Sequence, residues 1–452
     1  MPPLANRAKV FGYFFMRSGQ LRKARIIFLS PTLWRKRLVF WCGAIMVGVV
    51  ASYFAIASDY TLHFFETHIQ KWVLLPLIVS PITFGISAWM TSRFFPGAAG
   101  SGIPQAIAAR IVRDPKSRRF LLGPQLMIGK MLLTLLALLG GASIGREGPT
   151  VQVGAAIMLM CGSIGGLSAE RGIVLAGSAA GVAAAFNTPL AGIVFAIEEM
   201  ARAFEHRNSS IVLIAIVLSG AASMSILGDY NYFGYIDAQL TIGRDWLSIA
   251  VIGLAGGLLG SIFSRLVLDG GDYLRGMYNN IGTRNPLLFG AACGLVIAAL
   301  GIATHGLTYG TGYHMARSLL HSNLAGTWWQ TPAKLMATAI CAISGTPGGI
   351  FSPSLSVGAA MGGEFAYWLT VTPQQGIILL SMVAYFAGVT QAPITAFVIV
   401  LEITGNASSA VPLIATAVIA AGVGRLLCPV SLYHALAKGY ISRVKSESLP
   451  AH

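Results

Sequence analysis

Four short stretches place reactive or ion-binding residue types in an apolar setting: GSGIPQ at 100–105, GREGPTVQ at 145–152, FAIEEM at 195–200 and GGIFSPSL at 348–355. In the second, Arg146 and Glu147 lie between two apolar runs. An acid at membrane depth costs about 2.5–3.5 kcal/mol on insertion scales, so it is kept for function or paired with a cation, for which Lys130 and Arg146 are the candidates. A Gly-rich turn running into Pro reads as a helix N-terminus, because Pro in the first turn lacks only an N–H that would be unpaired anyway. GREGP and GIFSP both fit. Each such terminus offers free backbone N–H groups and about +0.5 of an elementary charge. Two of them facing one another in low dielectric would bind an anion without a full positive charge, and so would release it again. In GSGIPQ the plainer reading of Ser101 is a cap for a helix starting near Ile103 or Pro104. The other is a hydroxyl given to the anion. Glu147 beside an anion site would occupy it when ionised and withdraw when protonated. Proton and anion binding would then be linked, each favouring the other.

Such residues need elements that hold them inside a bilayer, and the composition supplies these. The 452 residues are 55% hydrophobic and 10% charged, with a mean hydropathy of +0.70, too apolar for a soluble chain of this length. Runs at 38–58, 72–95, 121–141, 210–228, 246–268, 287–305 and 410–428 approach the ~20 residues of a spanning helix. Shorter runs, broken by Gly or Pro, occupy 149–167, 173–186, 189–200, 331–345, 353–371, 376–388 and 393–404. Helices that stop inside a bilayer occur where backbone is buried in protein or lines a wet cavity. The predicted fold class is an all-α polytopic membrane protein with tilted and broken helices.

The net charge of +15 is unevenly placed: residues 1–39 hold nine Lys or Arg and no acid, RIVRDPKSRR at 110–119 is basic, and Lys438, Arg443 and Lys445 lie near the end. The positive-inside rule puts both termini in the cytoplasm and the acidic, aromatic loop 58–71 outside. Because the basic residues flank spans, they predict contact with a membrane surface and no nucleic acid. Residues from about 21 to 34 are expected to form an amphipathic surface helix. No signal peptide is expected. The five Cys lie in apolar runs with no CxxC and the eight His show no ligand spacing, so neither a metal nor another cofactor is expected. The expected organisation is a basic segment at 1–37, one transmembrane domain at 38–440 and a tail at 441–452, with no regulatory domain following.

An internal repeat ties the motifs together. At an ungapped offset of 204, GASIGREGPTVQVGAA (141–156) matches GTPGGIFSPSLSVGAA (345–360) at seven of sixteen positions. The same offset pairs Pro189 with Pro393, Val194 with Val398 and Glu198 with Glu402. The halves, about 72–228 and 287–428, suggest a pseudo-two-fold transporter or channel. If they are inverted, the N-termini near Glu147 and Phe351 can face each other. A serine-hydrolase reading of GASIG fails on context, since a helical run precedes Ser143 where an elbow needs a strand, and the repeat copy lacks the serine. The chain is not expected to be an enzyme.

GSGIPQ, GREGPTVQ, GGIFSPSL and the late Tyr433, in this order, resemble the CLC family of chloride channels and proton-coupled chloride transporters over about 38–440. The resemblance implies an inverted-repeat fold in a homodimer with one anion pathway per subunit, and chloride and protons as the partners. By motif, Ser101 and Tyr433 resemble side chains that coordinate the central anion, and Ile350 and Phe351 residues that offer it backbone N–H groups. Arg146, Glu147 and Gly148 match the outer position, with Glu147 as the gating glutamate. Tyr433 taken alone would read as an interfacial aromatic. Glu199 matches the inner proton-transfer glutamate of the exchanger branch, while Glu198 reads as structural. Serine at 101 resembles the chloride-preferring members. The motifs of the fluoride-exporting branch differ from those kept here. The expected function is therefore proton-coupled chloride exchange across the inner cell membrane, with a passive chloride channel as the alternative. Ser352 and Ser354 depart from the common pattern, and Ser352 would add a hydroxyl near the outer site and could shift anion preference.

Overall fold

Proline sets where many of the helices begin. Pro31, Pro76, Pro115, Pro124, Pro189, Pro286 and Pro393 each open one, where the missing N–H costs no helical hydrogen bond. The computed structural model describes residues 30–112, 114–166, 171–201, 209–228, 230–281, 285–322, 326–369 and 372–448. The first half comprises α1 (Pro31–Phe64), α2 (Pro76–Phe94), α3 (Ile103–Ile111), α4 (Pro115–Leu122), α5 (Pro124–Leu139), α6 (Glu147–Gly165), α7 (Arg171–Phe186), α8 (Pro189–Phe195) and α9 (Ser209–Leu227). The second comprises α10 (Ile242–Ile281), α11 (Pro286–Ala303), α12 (Tyr313–His321), α13 (Gln330–Ile343), α14 (Phe351–Phe365), α15 (Gln374–Thr390), α16 (Pro393–Thr404), α17 (Ala410–Leu427) and α18 (Leu432–Ser448). Among the described residues there is no named strand, only two isolated bridges.

Each apolar run read from the sequence falls mostly on helix where it is described, and among the described residues six helical stretches are long and apolar enough to cross a membrane. Apolar side chains face outward in rows: Ile78, Ile82 and Ile86 on α2 are 60%, 54% and 38% exposed, at the four-residue spacing of one helix face. Exposed apolar rows on helices that are apolar all round suit lipid.

Small residues bring the helices together. A Cβ at Gly294 of α11 would stand 2.5 Å from the Ser80 carbonyl oxygen of α2, and one at Gly290 2.6 Å from that of Phe84. Contacts this close are the way helices pack where burial from water gives no drive.

One expectation is corrected here. Residues 58–71 are not a loop: α1 runs to Phe64 and a π-helical turn carries it to Ile69. The Ser58 and Thr61 hydroxyls bond to the carbonyls four residues back, and Phe65 and Ile69 are buried, so the helix continues through polar residues. The expected surface helix at 21–34 lies largely outside the described residues; from Pro31 the chain is already part of α1.

The repeat is visible in three dimensions. Gly145 and Gly349, equivalent at the offset of 204, exchange both backbone hydrogen bonds, N–H to carbonyl at 2.7 and 2.8 Å. A reciprocal, antiparallel pair between equivalent residues requires a local two-fold axis between the halves. Glu198 and Glu402 repeat the exchange at longer range. Glu198 accepts from the Ile394 and Thr395 N–H groups at the start of α16, and Glu402 from those of Leu190 and Ala191 at the start of α8. Each carboxylate closes the first turn of a helix in the other half, the structural role read for Glu198.

Candidate functional site

Three Gly-rich turns meet where the two halves touch. Gly145 pairs with Gly349, and the Gly348 N–H donates to the Gly100 carbonyl at 3.1 Å. Side chains are excluded at the junction. A Cβ at Gly148 would meet the Ser101 carbonyl oxygen at 2.7 Å and the Gly349 Cα at 3.1 Å, and would also strike the Ser101 hydroxyl. Gly102 turns the chain at φ +108°, over the Gly148 carbonyl, a conformation that favours glycine. The first turns of α3, α6 and α14 are thereby brought within a few ångströms of each other. Each of these first turns carries free N–H groups and a partial positive charge.

Ser101 is not the cap of α3. Gly102 holds that position, and the Gln105 side chain reaches back to its N–H at 3.1 Å. The Gln105 amide is itself fixed by the carbonyls of Gly97 and Ala99 and by the Tyr440 hydroxyl. Ser101 is 7% exposed. The Tyr433 hydroxyl, on a fully buried side chain, lies beside that of Ser101, and apart from each other neither has a hydrogen-bond partner among the described residues. The Tyr433 ring stacks on Phe351 at 6.1 Å with the planes 17° apart, so α18 and the start of α14 are in register. Phe351 packs against Phe386 at 4.6 Å and Phe186 at 5.9 Å, and Ile350 is 3% exposed. Buried hydroxyls without partners are uncommon and call for a ligand or an ordered water.

Glu147 is 1% exposed and its partner is neither of the cations weighed from the sequence. Its Oε1 accepts from the Ser352 hydroxyl at 2.7 Å, and its Oε2 lies over Gly145. Ser352 thus meets the carboxylate itself, which the sequence placed only near it. Arg146 turns away, donating to the Ala55 carbonyl at 2.8 Å and pairing with Asp59, so its guanidinium does not face Glu147's carboxylate as a direct partner. Lys130, fully buried, donates to the carbonyls of Ala98 and Gly100 at 2.8 and 2.5 Å. Its repeat mate Lys334 holds Thr308, Tyr309 and Gly310 in the same manner at 2.9, 3.3 and 2.8 Å. The two lysines tie down the turns that enter α3 and α12. Glu199, 3% exposed, stands apart from Glu147 on a π-helical turn at Ala196–Ala201 that lines a second cleft with Glu198, Gln391 and Arg425.

The arrangement can hold an anion by neutral donors, offer it two hydroxyls, and set a carboxylate in competition with it. Among the described residues, no three His, Cys, Asp or Glu stand together as metal ligands do. The sequence reading missed Lys130 and Lys334 as a pair, although both obey the offset of 204, as do Thr134 and Thr338. It also missed Asp59 and His434, whose partners Arg146 and Glu199 are remote in the chain, and Gln105, which the capping-box spacing Gly102–Gln105 could have signalled.

Comparison with known proteins agrees with this geometry. The sequence profile of the family described as "Voltage gated chloride channel" matches residues 83–425. A Vibrio vulnificus protein named H(+)/Cl(-) exchange transporter ClcA is 31% identical over 418 residues, covering 85% of this chain and 84% of its own. A Yersinia pestis protein of the same name is 32% identical over 432 residues, covering 88% and 87%. The fold is similar to that of a slow cyanobacterial Cl−/H+ antiporter, with a TM-score of 0.80 at 24% identity over 90% of this chain and 98% of the other. A CLC-type fluoride/proton antiporter has a TM-score of 0.77 at 23% identity, over 89% and 98%. The profile covers most of the chain and the two relatives exceed 30% identity over nearly all of it, and so the chain belongs to the voltage gated chloride channel family, the CLC proteins.

Proposed function

We propose that the chain is a secondary active transporter that exchanges chloride for protons across the inner cell membrane, with both termini in the cytoplasm. The observation that carries the reading is the pair of buried hydroxyls of Ser101 and Tyr433, without partners apart from each other, at the meeting of three helix N-termini. Hydroxyl and amide donors converging in low dielectric select an anion, and with no cation in direct contact the anion can leave. Ile350, Phe351, Arg146 and Gly148 contribute backbone N–H groups in this reading. Glu147 is the outer gate: ionised, it competes with chloride for the N-termini; protonated, it yields. Glu199 passes protons at the inner end. The Tyr433 hydroxyl lies within electrostatic reach of both carboxylates, which supports a reading with the anion between the two proton carriers.

Relatives named as H(+)/Cl(-) exchangers support chloride as the anion and exchange as the mode. The homodimer with one pathway per subunit, implied by the family resemblance, belongs to the same reading. So does the division into a basic segment at 1–37, the transmembrane domain at 38–440 and a tail. The test is the reversal potential of protein reconstituted in liposomes under crossed pH and chloride gradients. In an exchanger a chloride gradient drives protons against their own gradient. A potential set by chloride alone, blind to pH, would make the protein a passive channel.

A further inference from the structure

We propose that His434 loads and unloads the proton on Glu199, acting as a relay between that carboxylate and the cleft between α3 and α18; the inference rests on the exchanger reading above. The Glu199 side chain is 4% exposed, against 14% for that of His434, whose Nδ1 stands 3.3 Å from the Glu199 Oε1. His434 lines a cleft of about 170 Å³ between α3 and α18, with Ile107, Pro429 and Lys438 among its walls. Glu199 lines the adjoining second cleft, and Pro429 borders both. The imidazole therefore lies between a water-sized space and the acid. Histidine is the side chain whose ordinary titration range makes it able to take and give a proton near neutrality.

The Ser431 hydroxyl, 3.1 Å from Nδ1, completes the relay. With the neutral ring's proton on Nδ1, Nε2 is bare and takes a proton from hydronium in the cleft, so that the imidazolium Nδ1–H donates to Glu199; once Nδ1 has given up its proton, the Ser431 hydroxyl can donate to it. The Nδ1 proton then moves to the carboxylate, leaving neutral imidazole and a carboxylic acid, and the cleft returns a water. A change of tautomer resets the ring. Other charged groups surround α18. Arg110 of α3 donates to the Met200 carbonyl, Arg118 of α4 to those of Ala109 and Val112, and Arg265 of α10 to that of Leu427. Arg443 lies over the Phe120 ring, Lys438 shares the His434 cleft, and Glu198 and Arg425 line the Glu199 cleft. His434 follows Tyr433 directly, so the proposed relay and the Tyr433 hydroxyl share the first turn of α18.

The test uses full-length protein in liposomes, with His434→Gln and His434→Asn made together. Both can hydrogen-bond to Glu199, and neither titrates. Proton movement per chloride, driven by a chloride gradient, is expected to fall about a hundredfold, the lower end of the ~10²–10⁴-fold carried by a positioned proton-transfer group. Chloride flux continues, and the dependence of proton flux on inner pH flattens. A proton-to-chloride ratio and pH profile equal to the parent's in either variant overturns the relay, since a residue that only positions Glu199 is replaced by an amide. If the parent couples and the variants couple equally, the relay alone falls. If the parent moves no protons against their gradient, the exchanger reading falls and the relay with it.

Discussion

Replacing Ser352 by alanine tests the competition between carboxylate and chloride most directly. The Ser352 hydroxyl donates to Glu147 at 2.7 Å, with the two residues 2% and 1% exposed. A hydrogen bond to a buried charged group stabilises by about 1.5–3 kcal/mol. That corresponds to a factor of about 10–100 in the occupancy of the position the carboxylate holds. Removing the hydroxyl weakens the carboxylate's hold without touching the backbone donors. Apparent chloride affinity, measured by calorimetry at alkaline pH where the carboxylate is ionised, should therefore tighten about tenfold, the lower end of that range. The lower end applies because a hydroxyl so close to the N-termini can also turn to chloride once the carboxylate leaves. The control is the same substitution in a Glu147→Ala background. There Ser352→Ala should leave chloride binding unchanged or weaken it, because nothing remains to compete. An equal change of the same sign in both backgrounds would show the two residues to be uncoupled and would refute the reasoning.

Glu147→Gln is expected to retain chloride flux and lose proton coupling, as read by chloride-driven pH change in liposomes; a variant that still pumps protons moves the gate to another residue. Glu199→Gln should stop proton movement and spare chloride, and unaltered stoichiometry would remove it from the proton path. Ser101→Ala combined with Tyr433→Ala should weaken chloride binding in calorimetry, and an unchanged Kd takes both hydroxyls out of the site. Lys334→Met leaves the carbonyls of Thr308, Tyr309 and Gly310 without their donor, at about 1–3 kcal/mol for each one left unsatisfied. Its melting temperature in detergent should fall clearly, and Lys130→Met should behave alike by the repeat symmetry. An unchanged melting temperature would show water replacing the ammonium.

The sequence by itself determined the class, the helices and the pairing of the halves. Apolar length and the placement of Pro are properties of contiguous residues, so α2, α9, α11 and α16 begin and end within a few residues of the runs read for them. The offset of 204 is legible because equivalent turns keep the same Gly and Pro. It held more than was read from it, since Lys130 and Lys334 obey it and do the same work in each half. The helical continuation of α1 through 58–69 was hidden because hydroxyls bonding back within a helix look, in the sequence, like loop residues. Only the tertiary structure decided the partners. Ser352 on Glu147, Asp59 on Arg146, His434 on Glu199 and Gln105 in place of Ser101 at the start of α3 join residues through packing or through side-chain reach. Local spacing can say that a helix begins at Glu147 and another at Phe351. That their first turns meet depends on Gly145, Gly148 and Gly349 lying backbone to backbone, and such closeness arises from the packing of two halves two hundred residues apart.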